Sequence, residues 1–313
     1  MSICLGEGQY TIMPPAVDYR LRCYAQIVSD LIPKSFKQIR VLDLGCCEGH
    51  HGIEFALQGA EVVAIEIRDA NLAKAHFIKE RLHLDNFKIH QDDVRNLSKE
   101  KYGVFDVVLC AGILYHIDAA NVFNFVKNIF EVCGRLTIFD TFVSLSARRA
   151  VEFEGKTYYG LDYVEHEKNA TEEDKLRDLW SSIDNDSSFW FTQPSLCRLL
   201  ENIGFTSFYE CFFPGWEKHE LVDRKTYVAI KGQGVKLLSS PAADQSPPFE
   251  IRDNQAVRFS DCQRPRGFLF RFVKERFPRP LKNVIKSILR SLGMIKPDDT
   301  PLYLKESLKA NKG

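Results

Sequence analysis

From Ile39 to Phe142 the chain alternates between two hydrophobic periods, and few architectures satisfy both. The apolar runs "IRVLDLG", "EVVAIEI", "FKIHQ", "VFDVVLCAG" and "RLTIFDTF" read as buried strands. Helical patterns lie between them, at His50 to Gly59, at Ala70 to Leu82, and at Ala119 to Glu131, where Val122, Phe123, Val126, Ile129 and Phe130 share one face. Strands and helices at this spacing predict right-handed βαβ units and a parallel sheet covered on both faces. An earlier helix, Ala16 to Ile32, stops at Pro33. Regularity fails from Ser144 to Phe189 and returns at "TQPSLCRLLENIG", a helix capped by Thr192, with Pro194 in its first turn and Gly204 at its end. "FTSFYECFF" and "KTYVAIKG" should then pair as a hairpin that puts an antiparallel strand at the sheet edge.

In such a sheet, ligands bind beyond the carboxyl ends of the strands, where the strand order reverses. The first strand leads into "VLDLGCCEGHHG", a glycine-bearing turn at that position. Neither register of its glycines gives the G-x-G-x-x-G of a dinucleotide site. The spacing fits D-x-G-x-G-x-G with the middle glycine replaced, running Asp43, Gly45, Cys47, Gly49. An acid at the strand end suits a ligand with a positive amino group and would repel a diphosphate. Cys47 fits if its position avoids the left-handed conformation, which a Cβ disfavours. Glu66 closes the second strand 21 residues after Gly45, where a carboxylate can take both hydroxyls of a ribose. After the third strand, Asp93, or else Asp92, is placed to accept from an adenine amine. Amine, ribose and adenine recognition in chain order describes S-adenosylmethionine better than a nicotinamide dinucleotide.

With "VLDLGCCEG", Glu66, "DDV", "FDVVLCAGILYHI" and a hairpin ending, the stretch from about Ile39 to Gly232 resembles the class I S-adenosylmethionine-dependent methyltransferases. The resemblance implies a Rossmann-like, doubly wound, seven-stranded α/β sheet with a C-terminal β-hairpin. It implies S-adenosylmethionine as cofactor, and a site formed by Asp43, Gly45, Cys47, Gly49, Glu66, Asp92, Asp93 and Cys110. The run "GILYH" is also similar to the fourth-strand motif of the tRNA wobble-uridine carboxymethyltransferases, in which the tyrosine matched by Tyr115 contacts the extra carboxylate of a carboxylated cofactor.

A sulfonium is an activated methyl donor, so the protein mainly aligns donor and acceptor, and a hydroxyl acceptor gains from a base of near-neutral pKa. Tyr115 and His116 follow the fourth strand and are the catalytic candidates. His51, beside the turn, reads as a helix-start residue. The segment 144–191, with Arg148, Arg149, "YYGLDYVEH", Trp180 and "FWF", reads either as a lid over a polar substrate such as a sugar or as a packed aromatic subdomain.

The organisation expected is an N-terminal helical extension (1–38), a methyltransferase domain (39–232) with its lid insertion, a linker (233–263) and a basic tail (264–313). The tail carries nine Lys or Arg and a single acid, Glu275, between Arg264 and Arg290, and its apolar residues from Leu281 to Leu292 fall on one helical face. That pattern reads as a membrane-surface or partner-docking helix, or as one folded back on the domain. Elsewhere the charges balance, with 42 basic and 42 acidic residues, and no RNA module accompanies the tail. The nine cysteines form no CxxC pair, so no metal site is expected. The start lacks a signal-peptide pattern and no apolar run reaches the ~18 residues of a membrane span. A cytoplasmic protein, peripheral to a membrane face if the tail binds there, is the expectation. The acceptor expected is a small molecule or glycan methylated at oxygen; the alternatives are a tRNA-modifying (carboxy)methyltransferase and a non-catalytic cofactor-binding protein.

Overall fold

The five apolar runs become parallel strands β1 (Arg40–Leu44), β2 (Glu61–Glu66), β3 (Phe87–Gln91), β4 (Phe105–Ala111) and β5 (Cys133–Phe142). Interleaved are helices α1 (Tyr19–Leu31), α2 (His50–Leu57), α3 (Asp69–Arg81), the short α4 (Lys99–Tyr102) and α5 (Val122–Val132). The computed structural model describes residues 3–11, 19–167, 169–211 and 223–234, all within one compact unit. Strands β1, β2 and β4 are apolar on both faces because helices cover both; Val41, Leu42, Leu44, Val62, Ile65, Val107 and Leu109 are fully buried. Ahead of α1, Cys4–Gly6 and Gln9–Tyr10 add a small hairpin that the periodicity did not foretell.

The insertion is ordered. β6 (Arg149–Phe153), β7 (Lys156–Val164) and β8 (Ser187–Phe191) form a separate antiparallel sheet in the order β8-β7-β6, with a short helix α6 (Glu172–Arg177) between β7 and β8. Its strands escape a period reading because β8 divides its aromatics. Phe189 and Phe191 enter the core against Phe123, whereas Trp190 stacks on Phe142 and Tyr163. The packed-subdomain expectation therefore holds for Phe189 and Phe191. Helix α7 (Gln193–Ile203) has the expected ends: the Thr192 hydroxyl accepts from the Ser195 amide, and Gly204 takes φ +118°.

β9 (Ser207–Cys211) and β10 (Arg224–Ile230) pair as the expected hairpin, with one correction. The sheet order is β9-β10-β5-β4-β1-β2-β3, so the antiparallel strand β10 lies one place in, against β5, and β9 is the edge. β10 is apolar enough to be central: Tyr227 to Ile230 are all buried, whereas β9 is half-exposed throughout. The order reverses between β1 and β4, the place where sheets of this kind bind their ligands. The linker beyond Gly234 and the basic tail lie outside the described residues.

Candidate functional site

The turn between β1 and α2 is built on three left-handed residues: Gly45 (φ +61°), Cys47 (φ +51°) and Gly49 (φ +81°). Cys47 thus occupies the conformation that its Cβ disfavours, and the sequence expectation for this position is corrected. Its side chain is solvent-exposed in a recess beside two carboxylates; desolvation there, then Glu66 and Asp43, push the thiol up to about 12. It is no thiolate nucleophile at neutral pH.

Asp43 is 1% exposed and its Oδ2 accepts the Gly52 amide at 2.8 Å, capping the first turn of α2 from the strand below. It braces the turn from behind. Burial pushes it up to about 7, the Gly52 amide opposes this, and Glu66 adds to it. Glu66 is likewise buried, with Oε1 accepting the amides of Ile67 and Arg68 and Oε2 accepting the Cys47 amide at 2.8 Å. A carboxylate offers about four lone-pair positions, so these three bonds leave Oε2 able to accept one more. The acidic tips of β1 and β2 therefore meet at the glycine turn, whose glycines lie close under side chains: a Cβ at Gly45 would come 3.1 Å from Ile113, and one at Gly49 3.1 Å from Ile53 and Phe87.

The β3 tip behaves differently. Arg95 takes the Asp93 carboxylate through Nε at 3.0 and 2.9 Å and through Nη2, and its amide adds another bond. Asp92 is held by Asn96, Lys101 and Tyr102. Its carboxyl is held well below the usual range: burial opposes this, but the bonds from Asn96, Lys101 and Tyr102 prevail. An adenine amine would have to share Asp93 with Arg95, or Asp92 with Asn96, Lys101 and Tyr102. The expectation for Cys110 is corrected: it is fully buried in the hydrophobic core, so its side chain contributes nothing to a site at the strand ends.

Beyond β4, a 3-10 turn at Leu114–His116 carries the catalytic candidates. Tyr115 packs edge-on against Phe142 and Trp190, with ring centroids 4.8 and 6.0 Å away. The Arg224 guanidinium lies 5.6 Å from the Tyr115 ring centroid. Burial raises the Tyr115 phenol, with Arg224 opposing, so it stays protonated at neutral pH and is a donor rather than a base. Nearby Asp140, 1% exposed, accepts Arg224 Nε at 2.6 Å, the Tyr24 hydroxyl at 2.9 Å and the Thr226 hydroxyl at 2.7 Å. Burial would raise this acid, but Arg224 and Arg20 hold it below the ordinary range.

His116 contacts the insertion. Its Nδ1 lies 3.0 and 3.1 Å from the two carboxylate oxygens of Glu165, which also accepts the Ser188 hydroxyl at 2.6 Å and the Ser182 amide at 3.0 Å. Sequence reasoning found His116 and missed Glu165, since 49 residues separate them and only the fold joins them. Arg68 and Asp140 were missed as well, although an acid inside "TIFDTF" and an arginine right after a strand-end glutamate were visible signals. The buried Arg68 donates to four carbonyls of the insertion: Lys175 (3.3 Å), Leu176 (2.9 Å), Ser181 (2.9 Å) and Ser182 (3.2 Å). Arg95 reaches Asp184 at 2.5 Å, and the Asn185 amide donates to the His116 carbonyl. The tips of β2, β3 and β4 thus each hold the segment 175–185. His51 lies in the first turn of α2, as expected.

A family profile described as "Methyltransferase domain" matches residues 35–180. Residues 35–180 thus match a methyltransferase domain, in agreement with the resemblance read from the sequence. That domain is 35% identical over 100 residues to the ubiquinone biosynthesis O-methyltransferase of Azotobacter vinelandii, covering 31% of this chain and 42% of the relative. The enzyme of the same name from Acinetobacter baumannii is 29% identical over 98 residues, 31% of this chain and 41% of the relative. The chain therefore spans about two fifths of the length of these relatives. Among solved structures, the methyltransferase domain is similar to the N-terminal domain of EvdMO1 in the presence of S-adenosylhomocysteine and D-fucose. The TM-score is 0.54 at 22% identity, over 72% of this chain and 88% of that one. The same domain with S-adenosylhomocysteine bound gives a TM-score of 0.52 at 23% identity, over 69% and 80%. These likenesses bear out the Rossmann-like fold.

Proposed function

We propose that the chain transfers a methyl group from S-adenosylmethionine to a hydroxyl of a small or glycan-type polar acceptor. The observation that carries this reading is the pairing of two half-sites at one end of the sheet. One is the Asp43–Glu66 acidic tip at the glycine turn. The other is His116 with Nδ1 engaged by Glu165 and, among the described residues, no protein partner on Nε2. The donor set fits the cofactor: Glu66 has an acceptor position left for a ribose hydroxyl, and the two acids give the negative field that a sulfonium and an ammonium favour. When bound, S-adenosylmethionine supplies an activated methyl group. His116 Nε2 takes the acceptor's hydroxyl proton, while Tyr115, Phe142, Trp190 and Tyr163 form an aromatic wall suited to a ring with polar edges. The O-methyltransferase names of the curated relatives and the D-fucose present with EvdMO1 agree with a hydroxylated acceptor.

The reading with a carboxylated cofactor needs a free cation beside Tyr115; Arg224 is there, but Asp140 engages it. Calorimetric titration with S-adenosylmethionine tests the cofactor, and absence of heat or competition overturns it. Mass spectrometry of cell extract incubated with methyl-labelled S-adenosylmethionine identifies the acceptor. With that acceptor, His116→Ala should cut turnover by about 10²-fold, within the range for a general base; an unchanged rate removes His116 from the chemistry.

A further inference from the structure

We infer that Glu165, carried by the insertion, is the positioning residue that makes His116 a base, by fixing its imidazole as the Nδ1–H tautomer and leaving Nε2 bare. The inference rests on the methyl-transfer reading for its purpose, and on geometry alone for its substance. The Glu165 side chain is 1% exposed, and both its oxygens lie within hydrogen-bond range of His116 Nδ1. Its other two contacts, the Ser188 hydroxyl and the Ser182 amide, are both donors. Both of these groups give the carboxylate a proton to share, so each of its oxygens already serves as an acceptor. Burial would raise its pKa, but the bond and charge of His116, then Ser188 and the Ser182 amide, hold it below the ordinary glutamate range. An ionised carboxylate cannot donate, so a neutral His116 must place its proton on Nδ1. The side chain keeps 17% of its surface open.

The proton balance follows. As the acceptor oxygen gains the methyl group, its hydroxyl proton passes to Nε2, and the resulting imidazolium faces the Glu165 carboxylate, which offsets the new charge. The base is therefore complete only with the insertion docked, because the turn beyond β4 supplies His116 and the residue after β7 supplies Glu165. Glutamine at this position keeps the size, but its amide carries a donor as well as an acceptor, so it no longer excludes the Nε2–H tautomer, whose Nε2 cannot act as a base.

The test is the imidazole nitrogen spectrum of protein carrying ¹⁵N-labelled histidine, alone and with S-adenosylhomocysteine. The His116 signals are assigned by their loss in His116→Gln. Wild type should show a protonated Nδ1 and a bare Nε2, and Glu165→Gln should admit the Nε2–H tautomer. A wild-type Nε2–H tautomer, or a Glu165→Gln spectrum identical to wild type, overturns the inference. The wild-type spectrum needs no variant, so a variant that fails to fold does not shield the proposal. With the acceptor in hand, Glu165→Gln should lower kcat by at least about 10-fold with KM within about twofold, and cost nothing more once His116 is Ala. Costs that add in the double variant assign Glu165 a purely structural role and sink the proposal. If His116→Ala is fully active while the tautomers behave as stated, the methyl-transfer role of His116 fails and the positioning role stands.

Discussion

Cys47 carries a Cβ at φ +51°, in a turn where its neighbours at Gly45 and Gly49 need no such compromise. A left-handed L-residue costs roughly 1–2 kcal/mol, part of which glycine would give back as unfolded-state entropy. Cys47→Gly should therefore stabilise the domain by roughly 0.5–1 kcal/mol and raise Tm by about 1–4 °C, read by differential scanning fluorimetry. A lowered Tm would show that the thiol packs usefully in its recess. Asp43 makes a prediction of opposite character. Its folded pKa of about 7 exceeds the ordinary value near 4, so the folded state binds more protons than the unfolded between those limits. Stability from this group is intact below about pH 4 and is lost as pH rises to 7, by at most about 4 kcal/mol. Asp43→Asn can still accept the Gly52 amide and carries no charge. Its Tm relative to wild type should climb between pH 4.5 and 7.5, and a pH-independent difference would refute the assignment.

Among the elements, the insertion's connecting segment is the one whose state is least fixed by its own sequence. It has few apolar anchors of its own, and Leu176 and Trp180 are 54% and 77% exposed. What holds it is Arg68, whose guanidinium is spent on four backbone carbonyls, together with Arg95 and Glu165. Each such bond to a charged donor is worth about 1.5–3 kcal/mol when its loss leaves groups unpaired, though an undocked segment can recover water. Local release should therefore precede global unfolding. Arg68→Met should speed chymotryptic cleavage near Leu176 and Trp180 by about 10-fold or more, with Tm lowered by only a few degrees. Equal cleavage rates would show that the segment is held by other means.

For the whole molecule, the sheet order sets where chemistry can occur: it reverses between the paired strands β1 and β4, and the strand ends that lead to Asp43, Glu66 and His116 share one end of the sheet. Among the described residues, no helix is long and apolar enough to cross a membrane. The sequence pattern alone assigns the expected membrane-surface contact to the basic segment 264–292, outside the described residues. Vesicles rich in anionic lipid should float the full chain, and deletion of 264–313 should abolish flotation. Retention after deletion would place the contact elsewhere or show it to be non-specific.

The fold was legible because β1, β2, β4 and β5 are apolar in unbroken runs, and that pattern has few solutions besides a covered parallel sheet. The hairpin's order was not, since a run such as "KTYVAI" fits an edge or an inner strand until its neighbour is known. In the site, Asp43, Gly45, Gly49 and Glu66 could be read locally, because strand-end spacing alone brings them to one turn. Whether Asp93 was unpaired, whether Cys110 faced outward and what engages His116 Nδ1 were settled by contacts that strand-end spacing does not show: Arg95 with Asp184, the core around Cys110, and Glu165 with Ser182 and Ser188. Local sequence determines backbone shape through sterics and hydrophobic period. The protonation and availability of a side chain depend on what packs against it, and only the tertiary structure decides that.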